Sequence, residues 1–177
     1  MNAQVIDIRQ EQPADFASIR KVVASAFESD AEADLVEAIR ASAHYVPEMA
    51  LVAEVHNAVV GHVMISGATL RSDAGDRRIV MLAPLAVAPA HQRAGIGSAL
   101  VRAGIAIAAR LGEPLVILEG SPAYYGRFGF EHSLLHGIEI TLPEWAPPEA
   151  AQILRLPNYD PNLTGLAVYP PAFDGVA

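Results

Sequence analysis

The chain lacks cysteine altogether and carries one lysine, Lys21, in 177 residues. Without thiols there is no disulfide framework, no thiolate metal site and no cysteine nucleophile. The scarcity of lysine removes the P-loop from consideration, since that motif needs Gly-Lys-Ser/Thr and here Gly97 is followed by Ser98 and Ala99. No apolar run is long enough to span a bilayer. The stretch Met1 to Asp7 lacks the basic and apolar regions of a secretory leader, so a cytoplasmic protein is the expectation. Basic side chains are outnumbered, 12 against 20 acidic ones, for a formal charge of −8. That balance argues against nucleic acid or an anionic membrane as the main partner.

What is present is a globular composition. Hydrophobic residues make up 52% and charged ones 18%, which excludes a disordered chain. The length suits a single domain over 1–177 with a sizeable core.

The segment Leu85-Ala86-Val87-Ala88-Pro89-Ala90-His91-Gln92-Arg93-Ala94-Gly95-Ile96-Gly97-Ser98 carries the most information. It reads as an apolar strand, a turn, a glycine-rich loop and the start of a helix. Glycines leave backbone N–H groups uncovered, and a helix start adds a positive dipole end. Together they form a seat for a phosphate or pyrophosphate. A dinucleotide fingerprint is the weaker reading. Gly95 and Gly97 fit its first two glycines, but Leu100 fills the third position, and Pro89 to Ala94 hold strand and glycines too far apart. Glu113 and Glu119 lie near the distance at which that fold places its ribose-binding acid.

Gln92-Arg93-Ala94-Gly95-Ile96-Gly97 matches Gln/Arg-x-x-Gly-x-Gly/Ala. Further on, Tyr124-Tyr125-Gly126-Arg127-Phe128-Gly129-Phe130 follows the pattern Phe/Tyr-Tyr-x-Lys/Arg-x-Gly-Phe, with room for one helix and one strand between the two. In both elements and in their order the chain resembles the GNAT superfamily of N-acetyltransferases. The closing Gly165-Leu166-Ala167-Val168-Tyr169-Pro170-Pro171-Ala172-Phe173 is similar to the tail of a bacterial subgroup of small acetyltransferases. The resemblance implies an α/β (α+β) fold with a central mixed, largely antiparallel twisted sheet, splayed parallel central strands and flanking helices.

The resemblance also implies acetyl-CoA as cosubstrate and direct acetyl transfer to an amine, carried by a small molecule or a peptide. The implied cofactor contacts are Leu85, Ala86 and Val87 on the splayed strand and Gln92, Arg93, Ala94, Gly95, Ile96, Gly97 and Ser98 in the loop. Tyr125 aligns with the tyrosine that protonates the departing thiolate, as a phenol with an ordinary pKa of about 10 can. Tyr124 is expected to pack or to contact the cofactor, and Arg127 to lie near the cofactor or in a salt bridge. Many relatives carry a carboxylate on the strand before the loop, but Ile79 to Val87 contains none. Glu119, ending the next strand, is the best-placed substitute base. The missing carboxylate leaves a second reading open, a non-catalytic acyl-CoA-binding or regulatory module on the same fold.

Periodicity supplies the rest. Val5 to Arg9 alternates as a short strand. A helix opens at Pro13 with Phe16, Ile19, Val22, Val23 and Phe27 on one face. Ser29-x-x-Glu32 has capping-box spacing, which starts a second helix at Ser29 with Leu35 and Ile39 buried. The acidic residues Glu28, Asp30, Glu32, Asp34 and Glu37 read as capping and a solvated face, with an acceptor pocket as the alternative. Ala50 to Val55 and Val59 to Ile65 form a hairpin about His56-Asn57-Ala58.

Pro84 predicts a bulge or lost pairing in the strand that begins at Ile79. Ile96, Leu100, Ala103, Ile107 and Leu111 define a helix ended by Gly112, and Leu115 to Leu118 reads as a buried parallel strand. Residues 142–177 hold seven of the 13 prolines and read as a wrapping segment with one short strand near Ile153 to Leu156. His132 and His136 lack a His-Glu-x-x-His frame, so no metal site is expected. A homodimer is left open by the sequence.

Overall fold

The computed structural model describes residues 4–176. Among them run β1 (Asp7–Gln10), α1 (Phe16–Phe27), α2 (Ala31–Arg40), β2 (Ala50–Val55), β3 (Ala58–Arg71) and β4 (Arg77–Val87). These are followed by α3 (Ile96–Arg110), β5 (Leu115–Glu119), α4 (Pro122–Tyr125), β6 (Glu131–His132), β7 (Ile138–Glu139), β8 (Ala151–Arg155) and β9 (Gly165–Val168). The strands form one mixed sheet in the order β1-β2-β3-β4-β5-β8-β6, with β9 pairing both β3 and β7. Two pairs are parallel, β4 with β5 and β7 with β9, and the others are antiparallel.

The sheet is covered on both faces because its central strands are apolar on both. From β3, Val63 and Ile65 face α3, which lays Ile96, Leu100, Val101 and Ala108 on that side. Met64, one residue out of phase, faces Ile19, Val22, Val23, Leu35, Val36 and Ile39 of α1 and α2. Gly104 lets α3 settle close on the sheet, since a Cβ there would stand 2.8 Å from Ile65 Cδ1. Farther along the α1/α2 face, Leu70, Ile79, Met81, Leu115, Ile117 and Ile153 form a third cluster, closed over by the C-terminal segment.

The β4–β5 ladder is short. Its register runs through Val80 with Val116 and Met81 with Ile117, and ends there. The β3–β4 register slips between Val63 and Ile65, opposite Ala83 and Pro84. Proline has no N–H to offer a ladder, and the bulge falls at the residue that predicts it, with the β4–β5 ladder already ended three residues earlier. β4 then continues against β3 to Val87 while β5 diverges.

Several boundaries differ from the sequence expectation. β1 starts at Asp7 and leaves Val5 81% exposed. α2 starts at Ala31, and the Ser29 hydroxyl caps the Ala31 N–H at 3.0 Å in place of a capping box with Glu32. Phe27, the last residue of α1, and Leu111, one residue past α3, are exposed. The largest correction concerns residues 142–177. They carry two strands, not one, and β8 is an integral strand between β5 and β6. The prolines lie in the connections, so they fix the turns without breaking either strand.

One buried polar cluster ties β1, α2 and β3 together. The Glu11 side chain is fully buried and accepts from Arg40 Nε at 2.9 Å, Arg40 Nη2 at 3.0 Å, Tyr45 Oη at 2.7 Å and His62 Nε2 at 2.8 Å. Burial pushes its pKa up, but the hydrogen bonds from His62, Arg40 and Tyr45 outweigh that and bring it down to about 2. Burial holds the His62 imidazole neutral by lowering its pKa, with Glu11 opposing. Nε2 then carries the proton, and the unpartnered Nδ1 is left as an acceptor.

Both shifts are downward in the folded state, so the stability they confer is present above pH 6.5, the ordinary histidine value, and is lost as pH falls toward about 2. Urea unfolding followed from pH 7 to 3 is expected to show this loss. Glu11→Gln is expected to cost about 3 kcal/mol at pH 7, because it leaves the Arg40 guanidinium without its anion, and to flatten the acid limb.

Candidate active site

The loop after β4 has the backbone that an anion requires. Arg93 (φ 62°) and Gly95 (φ 83°) both take the left-handed conformation, and α3 begins directly after Gly95. No side chain caps that helix start. The first intrahelical bond runs from the Ala99 N–H to Gly95 O, which leaves the N–H groups of Ile96, Gly97 and Ser98 without helical partners. They lie beside a cavity of about 400 Å³ lined by Leu85, Val87, His91, Gln92, Arg93, Gly95, Gly97, Ser98, Tyr124 and Arg127. In a chain of net charge −8, this site gathers two arginines and the positive end of α3.

Side chains sort themselves around that cavity. Arg127 donates to Ser98 Oγ at 3.3 Å and to Tyr124 O at 3.1 Å, and its guanidinium stacks 4.6 Å from the Tyr124 ring centre. It therefore bridges the start of α3 to α4 and, among the described residues, makes no salt bridge. Gly97 passes close to Tyr124, since a Cβ there would stand 2.8 Å from Tyr124 Oη. Gln92 folds back, its Nε2 donating to Val87 O at 3.0 Å. Ala86 and Ile96 are buried, with side chains turned into the core. All three stand apart from the cavity lining; Ala94 is exposed, whereas Ala86 and Ile96 can meet a ligand only through the backbone. His91 also lines the cavity, and its only sequence signal is its place one residue before the loop motif.

The backbone of β4 opens onto the splay. The Ala88 N–H donates to Val60 O, toward β3. Strand alternation then turns the N–H and C=O groups of Leu85 and Val87 the other way, to the gap that β5 has left. Leu85 and Val87 side chains also line the cavity, so this gap is continuous with the loop.

Tyr125 lies in α4, just past the end of β5. Ser121 caps α4 by accepting from the Tyr124 N–H, which fixes both tyrosines. The Tyr125 ring lies on Gly120, just past the end of β5, where a Cβ would meet Tyr125 Cε2 at 2.5 Å. It packs edge-on to Tyr124 at 4.9 Å and to Phe130 at 5.7 Å. Burial, with the neighbouring Tyr124, raises its pKa to about 12.

Glu119 ends β5, with its side chain on the face opposite α3, by alternation with Leu115 and Ile117. The side chain is exposed at the strand end, but partial desolvation by the neighbouring elements raises its carboxyl pKa, and the Tyr169 phenol pulls the other way. Glu113 is spent on Arg78, at 3.0 Å, and stands apart from the cavity. His132 Nδ1 lies 3.2 Å from Ala151 O and His136 Nε2 2.7 Å from Glu131 Oε2, so the two rings have separate partners. Among the described residues no group of histidines and carboxylates is arranged to hold a metal.

A family model for the GNAT acetyltransferase domain matches residues 7–133. The E. coli K12 protein YhbS, an uncharacterized N-acetyltransferase, is 34% identical over 165 residues, which cover 92% of this chain and 95% of its own length. YjhQ of the same organism, also an uncharacterized N-acetyltransferase, is 36% identical over 118 residues, or 67% of this chain and 65% of YjhQ. The crystal structure of E. coli YhbS in complex with CoA superposes with a TM-score of 0.87 at 33% identity, over 98% of this chain and 94% of that one. A GNAT family acetyltransferase from Brucella melitensis in complex with acetyl-CoA gives a TM-score of 0.78 at 31% identity, over 97% and 99% of the two chains. The chain belongs to the GNAT acetyltransferase family.

The backbone strain at the loop has a measurable consequence. At Gly95 an added Cβ meets no atom within 4 Å, so the penalty of Gly95→Ala is conformational alone. Chemical denaturation is expected to show a loss of about 1 kcal/mol, set by the left-handed φ.

Proposed function

We propose that this protein is an acetyl-CoA-dependent N-acetyltransferase that passes the acetyl group directly to a primary amine. The observation that carries the reading is the uncapped start of α3, whose free amides face a cavity flanked by Arg93 and Arg127. That is the donor set a diphosphate requires, and CoA and acetyl-CoA are the ligands held by the YhbS and Brucella proteins. Gly95, Gly97, Ser98 and the intervening amides would bind the diphosphate, with Arg93 and Arg127 balancing its charge. The backbone of Leu85 and Val87 would hold the pantetheine arm as an added strand in the gap. Bound there, the thioester supplies an activated acetyl group.

The chain's own residues divide the rest of the chemistry. A free N–H of Leu85 or Val87 is placed to stabilise the oxyanion. Tyr125, protonated at neutral pH and standing at the opened end of β5, is the acid for the departing sulfur. Glu119 supplies the carboxylate that β4 lacks. Its raised pKa brings it nearer neutrality, which suits a base that takes a proton from an ammonium. With no cysteine in the chain, no thiol relay precedes the acceptor.

The absence of cysteine also makes the assay clean, because every thiol that appears is released CoA. A panel of primary amines with acetyl-CoA is expected to yield CoA and acetylated amine. Binding of acetyl-CoA without product across the panel would favour a non-catalytic acyl-CoA module. Tyr125→Phe is expected to lower kcat by about 100-fold or more, with the Kd for acetyl-CoA by calorimetry unchanged. Gly97→Val, which drives a side chain into Tyr124, is expected to weaken that Kd by at least about tenfold, the worth of one lost charge-assisted contact.

A further inference from the structure

Among the described residues, the buried side-chain oxygens without a hydrogen-bond partner are Glu32 Oε2, Ser66 Oγ, Ser133 Oγ and Tyr169 Oη. Tyr169 is distinguished by what lies beside it. It follows β9, whose Val168 pairs with Thr69 of β3, and its ring packs 5.6 Å from Phe173 and against the cluster built from Met81, Ile117 and Ile153. That cluster occupies the face opposite α3, the face on which Glu119 leaves β5. The two groups act on each other electrostatically, each shifting the other's titration. The Tyr169 Oη is buried without a hydrogen-bond partner, and its ring packs on the cluster that holds Ile117, two residues before Glu119 on the same face of β5.

We propose that Tyr169 is the positioning residue for Glu119. Its O–H donates to one carboxylate oxygen and turns the other toward the gap between β4 and β5. The acceptor's ammonium N–H bond breaks there, the proton passes to that free oxygen, and the electron pair stays on nitrogen for attack. Tyr169 keeps its own proton throughout. The proposal rests on Glu119 acting as the base. The other elements around Glu119 bring no competing charge. Its register partner on β8 is Ala151, and the neighbouring Gln152 is engaged with Gly120 O at 2.9 Å. Tyr125 covers Gly120 as a neutral phenol.

The test is a carboxyl titration by NMR on the full chain labelled with ¹³C-glutamate, with the Glu119 signal identified by its loss in Glu119→Gln. Removing the donor in Tyr169→Phe keeps the ring and the packing, and a thermal melt checks that the fold is retained. The Glu119 pKa is expected to rise by about half a unit or more in Tyr169→Phe, because a hydrogen bond to the charged form has been removed. An unmoved Glu119 titration would overturn the proposal, even if turnover fell. The base role is decided separately, since Glu119→Gln with undiminished CoA release to an amine would remove it and the positioning role together. Failure of the family-level reading would look different again, as no calorimetric binding of acetyl-CoA by the unaltered protein.

Discussion

The parting of β4 from β5 is the constraint on which the site depends. Two parallel strands that stayed paired to their ends would present no free backbone and no gap. Here the pairing stops at Met81 and Ile117, three residues before the proline that has no N–H to give. Beyond it, one strand offers unpaired amides at Leu85 and Val87, and the other ends in Glu119 and Gly120. The uncapped start of α3 lies beside a cavity that Leu85 and Val87 also line, and the Tyr125 ring lies on Gly120, just past the end of β5.

Holding a sheet open at its centre needs rigidity on the flanks. β3 supplies much of it, running fourteen residues and pairing β2, β4 and β9 along its length. Behind β4, His62 lies opposite Ala86 in the β3–β4 register, and its imidazole is locked to Glu11. Glu11 in turn fixes Arg40 of α2, which also lies 3.7 Å over the Phe16 ring. A chain of charge-assisted bonds thus links the N-terminal helices to the strand that faces the gap. Such a cluster contributes less net stability than its contacts suggest, because each ion is desolvated. Its effect is geometric, since every partner has one place to go.

The loop and the strands were legible in the sequence because their signals are local. Gly95 and Gly97 mark backbone that other residues disfavour, Pro84 marks a break, and the run from Leu115 to Leu118 marks a strand buried on both faces. The C-terminal strands were only half legible, since prolines crowd the connections and mask two short apolar runs. Tyr124 and Tyr125 show the limit of motif reading. Adjacent in sequence, they diverge in space, one lining the cavity and the other lying on Gly120. The buried ion cluster left no local trace. Glu11, Arg40, Tyr45 and His62 come from four separate stretches, and nothing in their immediate neighbours announces that they meet.

The place of β8 in the sheet has a consequence for how this molecule is made. It lies between β5 and β6, both of which precede it in the chain, and β9 returns to β3 after nearly a hundred residues. A nascent polypeptide leaving the ribosome can dock α1, α2 and α3 on β1 to β4 by itself. The edge of β5 then waits, unpaired and apolar, until residues 151–155 emerge. Such an edge is a template for wrong partners. The proline-rich stretch between β7 and β8 therefore sets the delay during which the growing protein is exposed to association with its neighbours.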